Sequence, residues 1–162
     1  MTPDSTLTSI RMAAVGDARL IAEMSRDHIE QGLGWSWTRE RVARSVRHPD
    51  TNVVVAVRDG ERAGFGIMKY GGDDAHLLLL AVLPAQARRG VGRAIVGWLE
   101  HVARVAGIQR IMLEARLGNV AARDFYARLG YAQTSLVPGY YGGREASVRM
   151  SKALRNSRDA TT

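Results

Sequence analysis

Apolar positions along the chain recur with two periods, and the switches between them mark the elements. Residues 8–14 read as a first strand, with Gly16-Asp17 as turn and helix cap. Residues 18–29 place Leu20, Ile21, Met24 and Ile29 on one side, which predicts an amphipathic helix. A glycine- and tryptophan-containing loop at 31–37 follows, then a second helix at 38–46 with Val42 and Val46 inward, closed by His48-Pro49. Residues 52–57, 62–70 and 76–83 read as three strands. Asp59-Gly60 and Gly71-Gly72-Asp73-Asp74 join them, which predicts an antiparallel meander. Val91, Ile95, Trp98, Leu99 and Val102 have helical spacing, and 108–115 is a strand again. That strand–helix–strand unit prefers parallel pairing with a right-handed crossover. Residues 119–129 read as a fourth helix ending at Gly130, and 131–137 with 145–152 as a last hairpin. The expectation is an α/β (α+β) fold. One domain at 8–154 carries a mixed, mostly antiparallel sheet of about seven strands flanked by about four helices. Residues 1–7 are expected to be a disordered leader and 155–162 a flexible tail.

The pattern is densest in chemistry between Leu77 and Leu99. An apolar strand runs through Pro84 into a basic turn, Arg88-Arg-Gly-Val-Gly-Arg93, and then into a helix. Strand, tight turn and helix in that order leave several backbone N–H groups at a positive helix end, an anion site suited to phosphate or pyrophosphate. Two common glycine codes do not fit. A dinucleotide fingerprint needs glycine where Ile95 stands, and a P-loop needs Lys-Ser/Thr where Trp98 follows Gly97. Taken alone, the turn is equally an ordinary strand–helix connection with surface arginines.

The C-terminal half adds Leu113-Glu114, Asn119 and Phe125-Tyr126 ahead of Leu129-Gly130-Tyr131. With Arg88-Arg-Gly-Val-Gly-Arg93, this combination resembles the GNAT acyl-CoA-dependent N-acetyltransferases across about residues 76–151. Its closest likeness there is the ribosomal-protein alanine N-acetyltransferase branch. One departure stands out: Ala87 occupies the position where that family usually has Gln or Arg, with Gln86 beside it.

The resemblance implies acetyl-CoA as cosubstrate, bound by Arg88, Arg89, Gly90, Val91, Gly92 and Arg93. It implies Leu80, Ala81 and Val82 along the pantetheine arm, with the Val82 N–H as oxyanion donor, and Asn119 on a cofactor amide or as a helix cap. It makes Tyr126 the general acid for the leaving thiolate and Glu114, twelve residues earlier, the base for the amine. Each has an ordinary alternative: a core tyrosine beside Phe125, and an outward-facing surface glutamate. Trp35 and Trp37 in loop 31–37, and Tyr140 and Tyr141, would border the acceptor amine; the tryptophans equally suit the edge of a core. The resemblance implies a protein N-terminal α-amine or a small primary amine as the acceptor and, since many relatives are dimers, a homodimer.

Composition narrows the classes. The chain has 162 residues, 46% hydrophobic and 24% charged, enough for one domain with a core. It contains no cysteine, which excludes disulfides, thiolate metal sites and a cysteine acyl carrier, and fits a cytoplasmic setting. The four histidines show no metal-ligand spacing, so no metal is expected. No apolar run approaches membrane-spanning length, so no membrane partner is expected. The net charge is +7, and only Lys69 and Lys152 among the basic residues are not arginine. Charge alone keeps an RNA- or ribosome-associated protein open as an alternative, and a non-catalytic acyl-CoA-binding regulatory module is a second one, against which the presence of both Glu114 and Tyr126 argues. With no nucleic-acid motif beside the charge, direct nucleic-acid binding is not expected.

Overall fold

A computed structural model of the protein describes residues 7–139 and 145–154. Its strands are β1 Ser9–Met12, β2 Thr51–Arg58, β3 Glu61–Gly71, β4 Asp74–Val82, β5 Arg110–Arg116, β6 Ala132–Val137 and β7 Ser147–Ala153. Its helices are α1 Ala18–His28, α2 Arg39–Arg47, α3 Val91–Val105 and α4 Val120–Arg128. The strands form one seven-stranded sheet in the order β1-β2-β3-β4-β5-β7-β6. The β4–β5 pair is parallel, as the crossover pattern requires, and β6–β7 is the expected hairpin; β1–β2 and β5–β7 are also antiparallel. The expected leader, the tail, and Tyr140 and Tyr141 lie outside the described residues. By packing, the chain divides into two compact units: Met1–Met68 with Leu79–Leu99, and Lys69–Leu78 with Glu100–Thr162.

In the first unit, β2 and β3 are joined by Asp59 (φ 54°) and Gly60 (φ 74°). Two consecutive left-handed residues make the hairpin turn that matches strand twist. Two glycines of β3 let neighbouring elements come close. A Cβ on Gly64 would lie 2.7 Å from the carbonyl oxygen of Ala81, and one on Gly66 would lie 2.8 Å from Ile95 Cγ2. The start of α3 therefore seats directly on the sheet, with Ile95 and Leu99 fully buried. Such side chains contribute about 1.5–3 kcal/mol each, so the helix start that carries the anion loop is firmly anchored. Thr38 caps α2, its hydroxyl accepting from Arg41 N at 3.4 Å.

Asp17 does not cap α1. A 3-10 turn at Val15–Asp17 runs straight into that helix, so Asp17 is already helical (φ −83°, ψ −13°) and cannot take the extended cap geometry. Its buried carboxylate accepts instead from Arg11 (2.8 and 3.0 Å), the Ala14 N–H (2.8 Å) and Arg62 (3.2 Å). Arg11 is the main reason its pKa falls to about 2.

In the second unit, Asn119 caps α4, its side-chain oxygen accepting from Ala122 N at 3.1 Å. The turn before it is tied to the start of β7. Leu117 N donates to Ala146 O at 2.9 Å and Gly118 N to Glu145 Oε1 at 2.8 Å. A Cβ on Gly118 would lie 2.6 Å from that same carboxylate oxygen, so a larger residue there would displace the Glu145 carboxylate. Ile111, Leu113, Val148 and Met150 supply the apolar face of β5 and β7. The alternate residues of those strands carry the polar groups described next.

Candidate active site

The candidate anion loop is built in the first unit. Leaving β4, the chain makes a 3-10 turn at Pro84–Gln86. Arg88 (φ 63°) and Gly90 (φ 77°) then both take left-handed geometry. For a non-glycine residue this conformation is uncommon and costs energy, and such residues gather at ligand-binding turns. The first helical hydrogen bond of α3 runs from Ala94 N to Gly90 O at 3.0 Å. The N–H groups of Arg88, Arg89, Gly90, Val91, Gly92 and Arg93 have no acceptor among the described residues. Nothing lies within 4 Å of where a Gly90 Cβ would stand. Open space, unpaired donors and exposed Arg88, Arg89 and Arg93 fit a diphosphate group. Ala87 is exposed and adds nothing to the cradle, whereas Gln86 Oε1 is buried and without a partner.

Strand β4 runs up to that loop. Its parallel register with β5 covers Asp74↔Arg110 to Leu77↔Leu113, while the strand continues to Val82. Leu80 and Val82 are half-exposed and Ala81 is buried, so the strand end is flanked by small apolar side chains. This suits an extended amide-containing arm that hydrogen-bonds to backbone.

Loop 31–37, also in the first unit, is held from below by Glu30. Its buried carboxylate accepts from Ser36 N and Oγ at 2.7 Å, from Trp37 N at 3.2 Å, and from Ser25 Oγ at 2.9 Å. Burial pushes this carboxyl up, and those hydrogen bonds more than offset it, leaving the pKa below its ordinary value. The two tryptophans separate. Trp37 is buried with Arg41 stacked 3.8 Å from its ring centre, whereas Trp35 is 44% exposed. Only Trp35 keeps a large face toward solvent. Its indole N–H is spent on Ala22 O at 3.2 Å.

The candidate acid–base groups, Tyr126 and Glu114, belong to the second unit. Tyr126 is buried in the last turn of α4, its ring edge-on to Phe125 (5.1 Å between centres) and to Tyr131 (5.8 Å). Burial raises its pKa well beyond the usual phenol value, so it stays protonated. Glu114 stands on the polar face of β5 with 38% of its side chain exposed, directly across from Arg149 of β7 in register. Arg149 Nη2 donates to Glu114 Oε1 at 2.9 Å, leaving Oε2 without a partner among the described residues. At this exposure such a pair contributes only about 0.2–1 kcal/mol. The surface-glutamate alternative thus describes its environment in part, and the free oxygen remains available to a ligand.

Sequence reasoning missed Arg149 and His76. His76 shares the polar face of β4 and is half-buried near Glu114. Burial lowers its pKa, with Arg149 acting the same way and Glu114 opposing, so the imidazole is neutral at pH 7. The signal was present in its alternation with Ala75 and Leu77, which points it away from the apolar face. Nothing local in the sequence places it beside Glu114.

Residues 19–131 match the Acetyltransferase (GNAT) family. The chain belongs to that family. It is 30% identical over 128 residues to the ribosomal protein bS18-alanine N-acetyltransferase of Escherichia coli, a match covering 76% of this chain and 86% of the relative. Among solved structures, Ard1 from Thermoplasma volcanium superposes with a TM-score of 0.81 at 22% identity, covering 92% of this chain and 99% of that one. The PaiA N-acetyltransferase from Thermoplasma acidophilum, solved with coenzyme A, gives 0.76 at 18% identity over 91% and 99%. The protein is therefore an acetyl-CoA-dependent N-acetyltransferase that transfers acetyl to an amine. Among the described residues there is no metal-holding cluster, and no helix is long and apolar enough to cross a membrane.

Proposed function

We propose that the acceptor is a protein N-terminal α-amine, with Glu114 as base and Tyr126 as acid in direct transfer within a ternary complex. The observation that carries this is the pairing, in one compact unit, of a carboxylate with one free oxygen and a buried, protonated phenol. The matching relative whose name specifies a ribosomal-protein alanine supports the acceptor class.

The unpaired N–H groups of residues 88–93 hold the diphosphate, and the backbone of Leu80, Ala81 and Val82 aligns the pantetheine arm. Asn119, already spent as the α4 cap, contributes through its remaining amide donors. Acetyl-CoA supplies an activated thioester carbonyl. The Val82 N–H stabilises the charge that grows on the carbonyl oxygen. An N-terminal amine has a reference pKa near 8, so near neutral pH it needs only a modest base. Glu114 Oε2 takes its proton, directly or through a water, as the C–N bond forms. Tyr126 gives a proton to sulfur as the C–S bond breaks, and regains one from solvent. The burial that keeps the phenol neutral also makes a free thiolate costly there, so proton transfer and C–S cleavage are coupled. With no cysteine in the chain, a cysteine-carried acetyl intermediate has no place.

The largely exposed edge strand β6, with Leu136 at its surface, supports a homodimer formed along that edge. The cysteine-free composition supports a cytoplasmic setting. Of the two tryptophans of loop 31–37, the exposed Trp35 is the one placed to meet the acceptor, and Tyr140 and Tyr141 complete the proposed acceptor border. The acceptor test uses peptides with free N-termini, the same peptides N-blocked but carrying lysine, polyamines and aminoglycosides, each with acetyl-CoA. Mass spectrometry should find acetyl on the free α-amine alone. Modification confined to aminoglycosides or polyamines would overturn the acceptor class.

A further inference from the structure

Behind Tyr126 lies a buried ion pair that the chemistry above does not use. Helix α4 ends in a complete left-handed cap. Gly130 (φ 97°) donates to Ala127 O at 3.1 Å, and Tyr131 N donates to Tyr126 O at 3.0 Å. That is the double hydrogen bond of a Schellman motif, in which the third residue from the helix end and the second residue beyond it make an apolar contact. Here those two residues are Tyr126 and Tyr131, and their rings meet edge-on at 5.8 Å.

A cap of this kind leaves a helix-end carbonyl unpaired, and here that carbonyl, Leu129 O, accepts from Lys152 Nζ at 2.7 Å. The same ammonium lies 2.9 and 3.1 Å from the two carboxylate oxygens of Glu100 on α3. Only 7% of the Glu100 side chain and 24% of the Lys152 side chain are exposed. The stem of Lys152 crosses Gly130 so closely that a Cβ there would lie 3.3 Å from Cε. The ammonium lies 5.7 Å from the centre of the Tyr131 ring, whose hydroxyl is buried without a partner. A buried pair with a modest net contribution to stability commonly serves to select one arrangement over its neighbours. This one joins β7, α3 and the end of α4 at the turn that carries Tyr126.

We propose that Lys152 and Glu100 are positioning residues for the Tyr126 hydroxyl: they hold the α4 cap, the cap holds Tyr131 against Tyr126, and the phenol is thereby aimed. The proposal rests on the acid role of Tyr126. Losing the ammonium frees Leu129 O and leaves Glu100 buried and unpaired. The last turn then relaxes and the hydroxyl shifts, while the anion loop and strand end that bind acetyl-CoA, in the other unit, are untouched. A displacement on the scale of 1 Å at a reacting group can cost up to about 100-fold in rate.

The test is a double-mutant cycle on the full chain, read as kcat and acetyl-CoA KM well below the melting temperature of the weakest variant. Lys152→Met should lower kcat by roughly 10-fold or more with KM for acetyl-CoA little changed, and Lys152→Arg, which keeps the charge, should restore part of it. Placed on Tyr126→Phe, Lys152→Met should cause no further loss, because the group it aims is gone. Glu100→Gln should show the same pattern in weaker form, and it carries the test if Lys152→Met does not fold. Losses that multiply in the double variant, or a Lys152→Met enzyme that melts earlier but turns over at the parent rate, would overturn the positioning role alone. Full turnover in Tyr126→Phe would overturn the acid role and this inference with it.

Discussion

The two units solve opposite problems with opposite materials. In Met1–Met68 with Leu79–Leu99, the proposed cosubstrate site is made of backbone: unpaired N–H groups from Arg88 to Arg93, two left-handed residues, and a strand end. In Lys69–Leu78 with Glu100–Thr162, the proposed acid–base groups are single side-chain atoms, the Tyr126 hydroxyl and Glu114 Oε2, whose side chains are fixed through other atoms: the Tyr126 ring against Tyr131 and Glu114 Oε1 by Arg149. A diphosphate is large, doubly charged and symmetric enough to be held by many weak donors. A proton must be delivered to one atom from another. The first kind of site tolerates a changed side chain, which is why alanine at position 87 need not weaken it. The second kind tolerates nothing that moves a few atoms.

The contrast breaks most visibly at Tyr126. Tyr126→Phe removes only a hydroxyl, so the ring contacts with Phe125 and Tyr131 remain. Turnover should fall by about 10²–10⁴-fold with acetyl-CoA affinity held, the signature of an interaction made only in the transition state. A steady-state assay beside calorimetry separates the two quantities, and unchanged turnover would return Tyr126 to the core.

Gly90→Val is the reciprocal experiment. It adds no clash, since the space is open, but it forces a β-branched residue to φ 77°. The strain, about 1–2 kcal/mol for an ordinary residue and more for valine, should deform the donors and raise the acetyl-CoA Kd by roughly 10-fold or more. Calorimetry giving the parent affinity would mean that the diphosphate sits elsewhere.

Glu114→Gln should cost about 10-fold at pH 7, where about one amine in ten with a pKa near 8 is already neutral, and progressively less as pH rises past that pKa, because the deprotonated amine needs no base. A pH profile parallel to that of the parent enzyme would exclude the base role.

Smallest of all should be Arg88→Gln. It removes a charge from a cradle whose donors are backbone, so the acetyl-CoA Kd should rise by less than about 10-fold and the difference should shrink in high salt. A loss as large as that of Gly90→Val would mean that side chains, and not backbone, hold the cosubstrate.

These regions also differ in how much of them the sequence reveals. The strand–turn–helix geometry of the candidate anion loop was legible because it is local: Pro84, Gly90 and Gly92 stand within nine positions, between a strand pattern and a helix pattern. Asn119 as a cap and Gly130 as the helix stop were legible for the same reason, and both do what their residue types favour. Where a local rule failed, at Asp17, a competing demand explains it. Two arginines, one of them 45 positions away, and the Ala14 N–H claim its carboxylate, and the 3-10 turn removes the geometry a cap needs.

By itself, then, the sequence determined which elements form, their order, the parallel crossover, and which residues stand as candidates for the chemistry. Periodicity, caps and glycines act over a few residues, and a few residues are enough to read them. Only the tertiary structure decided how those residues are employed. It set Arg149 across from Glu114 at a separation of 35 positions, brought Lys152 to Glu100 over 52 and to the end of α4 over 23, buried Trp37 and left Trp35 exposed. A contact between distant positions depends on strand register and on the seating of helices. Many side chains contribute to each of those jointly, and no local window of sequence carries it.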